Sequence, residues 1–394
     1  MKTRLTTLLW VCAAIVGAAL LSGCSKSSFS HFGGKQIRFA TVSGGSVSTK
    51  TAYGDDKGGK QALNWVSGDV ITIASPQAEV QNVGGHASNY VVTLKENGEG
   101  VPSYGTVANE GSNGLAWLDT DPEKGYDFFG IYPKTSNAIS VVPSTGVVTA
   151  TLPESQTNEA STETKSAGEG EDAITYTIYK PDMSLAFMSA AASGVKSSDK
   201  TVSLEFFPAF TAFEFNVSSQ GEEIEVLSIQ LVADAEDAEE TEDKEGLSGT
   251  YTFDAGELTS ENKASLTTLN KTATLNLATT TEATESTEAT TTGVKVTKTE
   301  GASFTLFTAP VANTKALTLK VKSKDGENAT KTDTVILKYG EKATEHTPGD
   351  AVVFEAGHKY RINMLKLRSS KWRIIIKPEF KDWIVIEEGT MLYI

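Results

Sequence analysis

Few residues in this chain are spaced for chemistry. Gly54-Asp55-Asp56-Lys57-Gly58-Gly59-Lys60-Gln61 nearly fits the phosphate loop GxxxxGK[ST], in which backbone amides cradle phosphate and a hydroxyl holds magnesium. Gln61 stands where that hydroxyl belongs, with no clear strand before the loop and no amphipathic helix after it. The segment reads as a solvated glycine-rich loop. The histidines, His31, His86, His346 and His358, fall at no metal-ligand spacing, and neither HExxH nor a GxSxG elbow occurs. The run Asp234 to Glu245 lacks the alternating ligands and central glycine of a calcium loop. It reads as solvated surface, with loose cation binding as the alternative. No carboxylate pair is marked out for glycoside hydrolysis. Trp65, Trp117, Trp372 and Trp383 could stack on sugar rings if exposed, and core packing is the competing fate of each. No catalytic residue, metal ligand or cofactor site is expected.

Cys24 is the one residue with a chemistry of its own. Met1 to Arg4 supplies two positive charges, and Leu8 to Leu21 is an uncharged apolar run. That run is short for a bilayer, which takes about 20 residues. It reads as an export signal. Leu21-Ser22-Gly23-Cys24 closes it and resembles the bacterial lipobox. The resemblance implies cleavage before Cys24, a thioether-linked diacylglycerol on its sulfur and an acylated new N-terminus. Two or more acyl chains anchor stably, at about 0.8 kcal/mol per buried methylene. The other cysteine, Cys12, lies inside the signal, so the mature chain is expected to form no internal disulfide. The net charge of −15 argues against nucleic acid and anionic lipid as partners. Hydrophobic residues make up 39% of the chain, enough for packed cores.

The elements that must carry any function read as strands. Ser25 to Gly34 is a polar tether, and folding begins near Gln36. Ile37 to Val42 predicts a strand with Ile37, Phe39 and Thr41 on one face. Ser43 to Gly59 predicts a long loop. Gly68-Asp69 predicts a turn and Val70 to Ile73 a β-branched strand. Further strands fit Tyr90 to Leu94, Leu115 to Leu118, Tyr126 to Tyr132, Val147 to Leu152 and Ile174 to Tyr179, with Asn158 to Asp172 a surface insertion. A domain boundary is expected near Lys200. Val202, Leu204 and Phe206 then share one face, but Phe213, Phe215 and Val217 share the other numbering phase. A bend or bulge near Pro208 would account for the change. Thr267 to Lys298 reads as disordered or as a long polar hairpin. Trp372 to Ile376 and Trp383 to Ile386 are apolar on both faces, unusual for a terminus. Many short strands with turn signals and little helical spacing predict an all-β, sandwich architecture.

Several of these segments, in order, resemble the fimbrillin-like proteins of the Bacteroidales. Trp65-Val66-Ser67-Gly68-Asp69-Val70-Ile71 is similar to that family's W-x-x-G-D-x-I signature. Tyr126-Asp127-Phe128-Phe129-Gly130-Ile131-Tyr132-Pro133 is similar to its Y-x-F-x-x-Y-P strand, and Leu152-Pro153-Glu154-Ser155-Gln156 to its L-P-x-x-Q turn. Leu204 to Phe215, Leu247 to Tyr251 and Gly357 to Ile362 extend the likeness into the second half. The resemblance implies two tandem transthyretin-like Greek-key sandwiches. On this reading residues 1–23 are the signal peptide, 24–35 the tether, 36–200 the first domain and 201–394 the second, with apolar C-terminal strands over 371–394. It implies a structural subunit of adhesive surface fimbriae on the outer membrane, held there by the lipid on Cys24. Its partners would be other fimbrial subunits, joined by adding a strand to an open sheet edge. The strand to be lost would be Ile37 to Val42, cut free in Ser43 to Gly59 with Lys50 the best basic candidate. Lysine stands there where the family commonly has arginine. The apolar tail, with Trp372, Ile374, Ile376, Trp383 and Val385, would be the donor strand, the alternative being a pair of strands completing the second sandwich. Two other roles stay open: an anchor or tip subunit, and a monomeric surface lipoprotein that binds glycans or host ligands.

Overall fold

A computed structural model describes residues 35–386, except 44–51, 58–59, 66, 97–101, 110–112, 120, 168–172, 200, 235–245, 259–261, 263, 282–289, 315, 325–328, 340–351, 355, 369–370 and 378–382. The described chain is all-β apart from the short turn of helix Met183–Leu185, and its sheets enclose two hydrophobic cores.

Seven strands close into a barrel. Round it run Phe39–Ser43, Val202–Pro208, Met188–Lys196, Gly125–Tyr132, Val70–Ala74, Ala87–Glu96 and Pro102–Asn109, the last pairing back onto the first. Alternation sets which side chains point inward. Val202, Leu204 and Phe206 are buried, as are Tyr126 and Phe128, while their neighbours in sequence are less covered. Gly130 must lack a side chain, because a Cβ there would lie 2.6 Å from Cζ of Phe206. A four-stranded sheet of Ile139–Val141, Val147–Leu152, Ser248–Asp254 and Ser265–Asn270 packs on the same core through Val148, Ala150, Tyr251 and Phe253.

The second core lies inside a long rolled sheet. Its order is Trp372–Lys377, Lys359–Lys366, Thr211–Ser219, Glu300–Thr308, Ile174–Pro181, Ser155–Ala167, Thr272–Asn276, Ile224–Asp234, Ala316–Lys324, Thr330–Tyr339 and Trp383–Ile386. Val294–Val296 pairs off this path with Ile224–Asp234. The first and last strands in that order are joined by only five residues, 378–382, which reach about 20 Å at most. The sheet therefore curls until its two edges come near each other, and Phe213, Phe215, Leu231, Leu319 and Ile362 fill the space between its halves.

Several expectations change. The boundary expected between Lys200 and Thr201 falls at no break in the sheets: Val202–Pro208 pairs with Phe39–Ser43 and with Met188–Lys196 in the barrel. The chain passes from the first core to the second between Ala212 and Phe213, and returns to the first at Tyr251, Phe253, Phe307 and Ala309. Ser155–Ala167 and Ile174–Pro181, from the first half, complete the second sheet. The expected surface insertion is thus largely a strand. The change of phase near Pro208 marks the chain leaving one sheet for another, with Thr211–Ser219 buried along its whole length. The expected loop from Ser43 to Gly59 includes Ala52–Lys57, paired with Lys60–Asn64. The described part of Thr267 to Lys298 is mostly short paired strands, including Thr279–Thr281 paired with Thr290–Thr292.

Candidate functional site

The first strand sits in a slot built from three directions. Phe39–Ser43 runs parallel to Val202–Pro208 on one side and antiparallel to Pro102–Asn109 on the other. Ile37, Phe39 and Thr41 all point inward, as alternation predicts, and are 3%, 3% and 0% exposed. The Phe39 ring meets Tyr90 edge-on at 5.1 Å and Phe128 at 5.4 Å. Trp117, against both Tyr126 and Phe128, extends this aromatic floor. The Tyr90 hydroxyl accepts a hydrogen bond from the Leu115 amide at 2.8 Å. Burial pushes its pKa well up, against the pull of that hydrogen bond, so it stays a neutral phenol. Leu115 in turn fixes the entry to the strand, its carbonyl accepting from the Ile37 amide at 2.9 Å. Thr41 is the misfit: its hydroxyl is buried without a hydrogen-bond partner among the described residues.

The tail strands are paired within the chain. Trp372–Lys377 lies antiparallel to Lys359–Lys366, bringing Trp372 beside Lys366 and Ile374 beside Met364, with Trp372 and Ile374 buried. The Trp372 indole donates to Asp333 Oδ2 at 2.7 Å, the same oxygen that pairs with Lys366 at 2.6 Å, and the Lys366 ammonium stands 4.8 Å over the indole ring. Ile376 pairs with Ile362 along the backbone. Trp383–Ile386 forms the other edge, Trp383 opposite Tyr339 and Val385 opposite Leu337. Cys24 and Lys50 lie outside the described residues. Trp65, Trp117 and Trp372 are core residues, so none of the three offers a face to a sugar.

Sequence reasoning missed a polar cluster centred on Glu214. Its Oε1 pairs with Lys165 at 2.7 Å and with Arg361 Nε at 2.7 Å, and its Oε2 with Lys359 at 2.9 Å. Burial pushes the carboxyl up, but the Lys359 and Lys165 charges, the Lys165 hydrogen bond and then Arg361 outweigh it and hold Glu214 well below the usual carboxylate range. Burial also lowers Lys165 from its ordinary value, despite the Glu214 charge. One signal was present in the sequence: an acid between Phe213 and Phe215, in an otherwise apolar stretch. The cluster ties three distant segments together. Among the described residues no group of three or more His, Cys, Asp or Glu could hold a metal ion.

The fold and slot define an all-β protein whose first strand closes the seam of a barrel. No family model matches the sequence, and no curated protein matches it. Among solved structures it is similar to a candidate cell adhesion protein from Bacteroides uniformis, at 14% identity and TM-score 0.43 over 87% of this chain and 97% of that one. A candidate cell adhesion protein from Bacteroides ovatus is similar at 14% identity and TM-score 0.43, over 91% and 99%. The fimbrial anchor protein Mfa2 from Porphyromonas gingivalis is similar at 7% identity and TM-score 0.27, over 87% and 98%.

Proposed function

We propose that this chain is a structural subunit of adhesive cell-surface fimbriae, exported with a signal over residues 1–23, lipidated on Cys24 and joined to its neighbours by strand exchange. The observation that supports this reading is the seat of Phe39–Ser43. It is a five-residue strand near the N-terminal end of the described chain, flanked by partners far away in sequence. One cut in residues 44–51, which include Lys50, would separate it from everything that follows. Its removal would bare the facing edges of Val202–Pro208 and Pro102–Asn109 over the floor of Tyr90 and Phe128. An edge of that kind is a template for an incoming strand, whose main chain supplies the hydrogen bonds while alternate side chains fill the pockets. The apolar tail is the proposed donor. Within it, Trp372–Lys377 is held by the contacts of Trp372 and its neighbour Lys366 with Asp333.

The test is an unheated SDS gel of cell-surface material blotted for this chain. A ladder of evenly spaced bands that collapses to monomer on boiling is the expected result. A single monomer band with and without boiling would overturn the self-polymerising subunit.

A further inference from the structure

The two tail strands hang on the rest of the chain by one edge each. Among the described residues Trp372–Lys377 pairs only with Lys359–Lys366, and Trp383–Ile386 only with Thr330–Tyr339. Either can therefore open by breaking a single ladder. The root of the tail is held differently. Asp333 stands on Thr330–Tyr339, three residues before Ile336, where the ladder with Trp383–Ile386 stops. From there its carboxylate crosses to the opposite end of the sheet order. Its Oδ2 accepts from the Trp372 indole at 2.7 Å and pairs with the Lys366 ammonium at 2.6 Å. Lys366 and Trp372 lie opposite each other at the head of their ladder. Trp372 is the first residue of the tail strand, and Lys366 is the last of the strand that carries it.

The placing of these groups makes the contact hard to break. Asp333 shares a strand face with Val335 and Lys366 with Met364, and both of those neighbours lie in the second core. The clasp therefore closes inside the roll. Trp372 and Lys366 are both buried, and the ammonium stands 4.8 Å over the indole ring. Pulling Trp372 away would take its N–H from Asp333 and its ring face from Lys366 in one step. The two limbs of the clasp also differ in what they join. Trp372 belongs to the tail. Asp333 and Lys366 stand on strands that stay in the sheet when the tail opens, so their ion pair ties the two halves of the roll directly.

We propose that Asp333 is a hinge clasp. The tail opens from its C-terminal end as far as Trp372 and stops there, while the Lys366–Asp333 pair keeps the roll shut. The segment free to move is then 373–394, tethered at a fixed point. An edge strand with one ladder opens at low cost, whereas removing the carboxylate from a buried ion pair is strongly unfavourable, so the boundary between the two falls at the clasp. Use of the opened segment as a donor rests on the strand-exchange reading above. The hinge itself does not.

The experiment is hydrogen exchange of the full chain, read by mass spectrometry on fragments that separate 359–366 from 374–377 and 383–386. In the wild type the ladder amides of 374–377 and 383–386 should exchange at least about ten-fold faster than those of 362–366. Asp333→Asn should speed exchange of 362–366 about 100-fold, so that this step disappears. Trp372→Phe keeps a ring and removes the N–H, and should shrink the step about ten-fold. It carries the test if Asp333→Asn fails to fold. Glu163→Gln removes an exposed carboxylate paired with Lys180 and should change neither fragment. A wild-type chain without the step, or a step that survives Asp333→Asn, would overturn the hinge. So would equal loss of protection across Thr211–Ser219 and Glu300–Thr308 in Asp333→Asn, the mark of an ion pair that only stabilises the core. A single monomer band on the unheated gel with the step intact would remove the donor role and leave the hinge standing.

Discussion

Phe39→Ala tests the slot most directly. The side chain is 3% exposed and wedged edge-on between Tyr90 and Phe128, at 5.1 and 5.4 Å. Truncating a buried phenylalanine costs about 3–5 kcal/mol, with the upper end applying where surroundings cannot collapse. Here they cannot move far, because strands on both sides fix the backbone of Phe39–Ser43 and the floor rings are themselves packed against Trp117. The expected loss is about 4–5 kcal/mol, including about 0.5–1.5 kcal/mol for each lost edge-to-face contact. Hydrogen exchange resolves where that loss falls. Amides of Val202–Pro208 and Pro102–Asn109 should lose protection, while those of Thr211–Ser219 and Lys359–Lys366 keep theirs, because the second core includes no residue of the first strand. The barrel's melting transition, followed by fluorescence of Trp65 and Trp117 in a Trp372→Phe, Trp383→Phe background, supplies the magnitude. A loss below about 1 kcal/mol would refute the packing argument. Equal deprotection of both cores would refute the claim that the slot is a separable unit.

Thr41→Val replaces a fully buried hydroxyl that has no partner among the described residues with a methyl of similar shape, and should raise the barrel's melting point by about 1 kcal/mol of stability. A lower melting point would mean that the hydroxyl is satisfied. Glu214→Gln leaves Lys165, Lys359 and Arg361 around a neutral amide and should cost about 3–5 kcal/mol at neutral pH, read by urea denaturation. Because the folded-state pKa of Glu214 is depressed, its contribution is full above the unfolded value of about 4.3 and is lost as pH falls below it. The wild-type and Glu214→Gln stability curves should therefore converge in acid and part above about pH 5; parallel curves would refute the assignment. Gly130→Ala drives a Cβ to 2.6 Å from the Phe206 ring and should cost about 1–3 kcal/mol in thermal melts.

Local pattern was legible where one face of a strand meets a core. Val147–Leu152 and the turn at Gly68 stand where β-branched alternation and a Gly-Asp pair put them, Gly68 with φ of 103°. The inward trio Ile37, Phe39 and Thr41 was readable for the same reason. What stayed illegible was pairing between distant segments. Asn158 to Asp172 reads as a surface insertion because the strand Ser155–Ala167 that covers much of it is exposed along most of its length; only Gln156 is buried, its amide bonded to both backbone groups of Phe307. Asn158 does the same to Thr305 one step along. Such amides substitute for a missing strand neighbour, and nothing in the local periodicity announces them.

For strand exchange, an open barrel must leave the remainder of the subunit intact, and the joint between the two cores bears on that. Val202–Pro208 forms one wall of the slot and Thr211–Ser219 begins the second sheet only two residues later. Slack created by losing the first strand would have to pass through Ala209 and Phe210. That joint is pinned from separate elements. The Ala209 amide donates to the Phe187 carbonyl at 2.8 Å, and the Ala209 carbonyl accepts from the buried Tyr251 hydroxyl at 2.8 Å. The Phe210 carbonyl accepts from the Gly357 amide at 2.8 Å, and its ring packs on Phe307 at 4.7 Å. A short segment anchored at both residues, on its backbone and through a ring, resists displacement because its hydrogen-bond partners and the Phe307 ring hold it in place. Opening the slot should therefore leave the rolled sheet and its tail strands in place. The proposed strand exchange requires that arrangement, with the slot on one core and the tail strands on another.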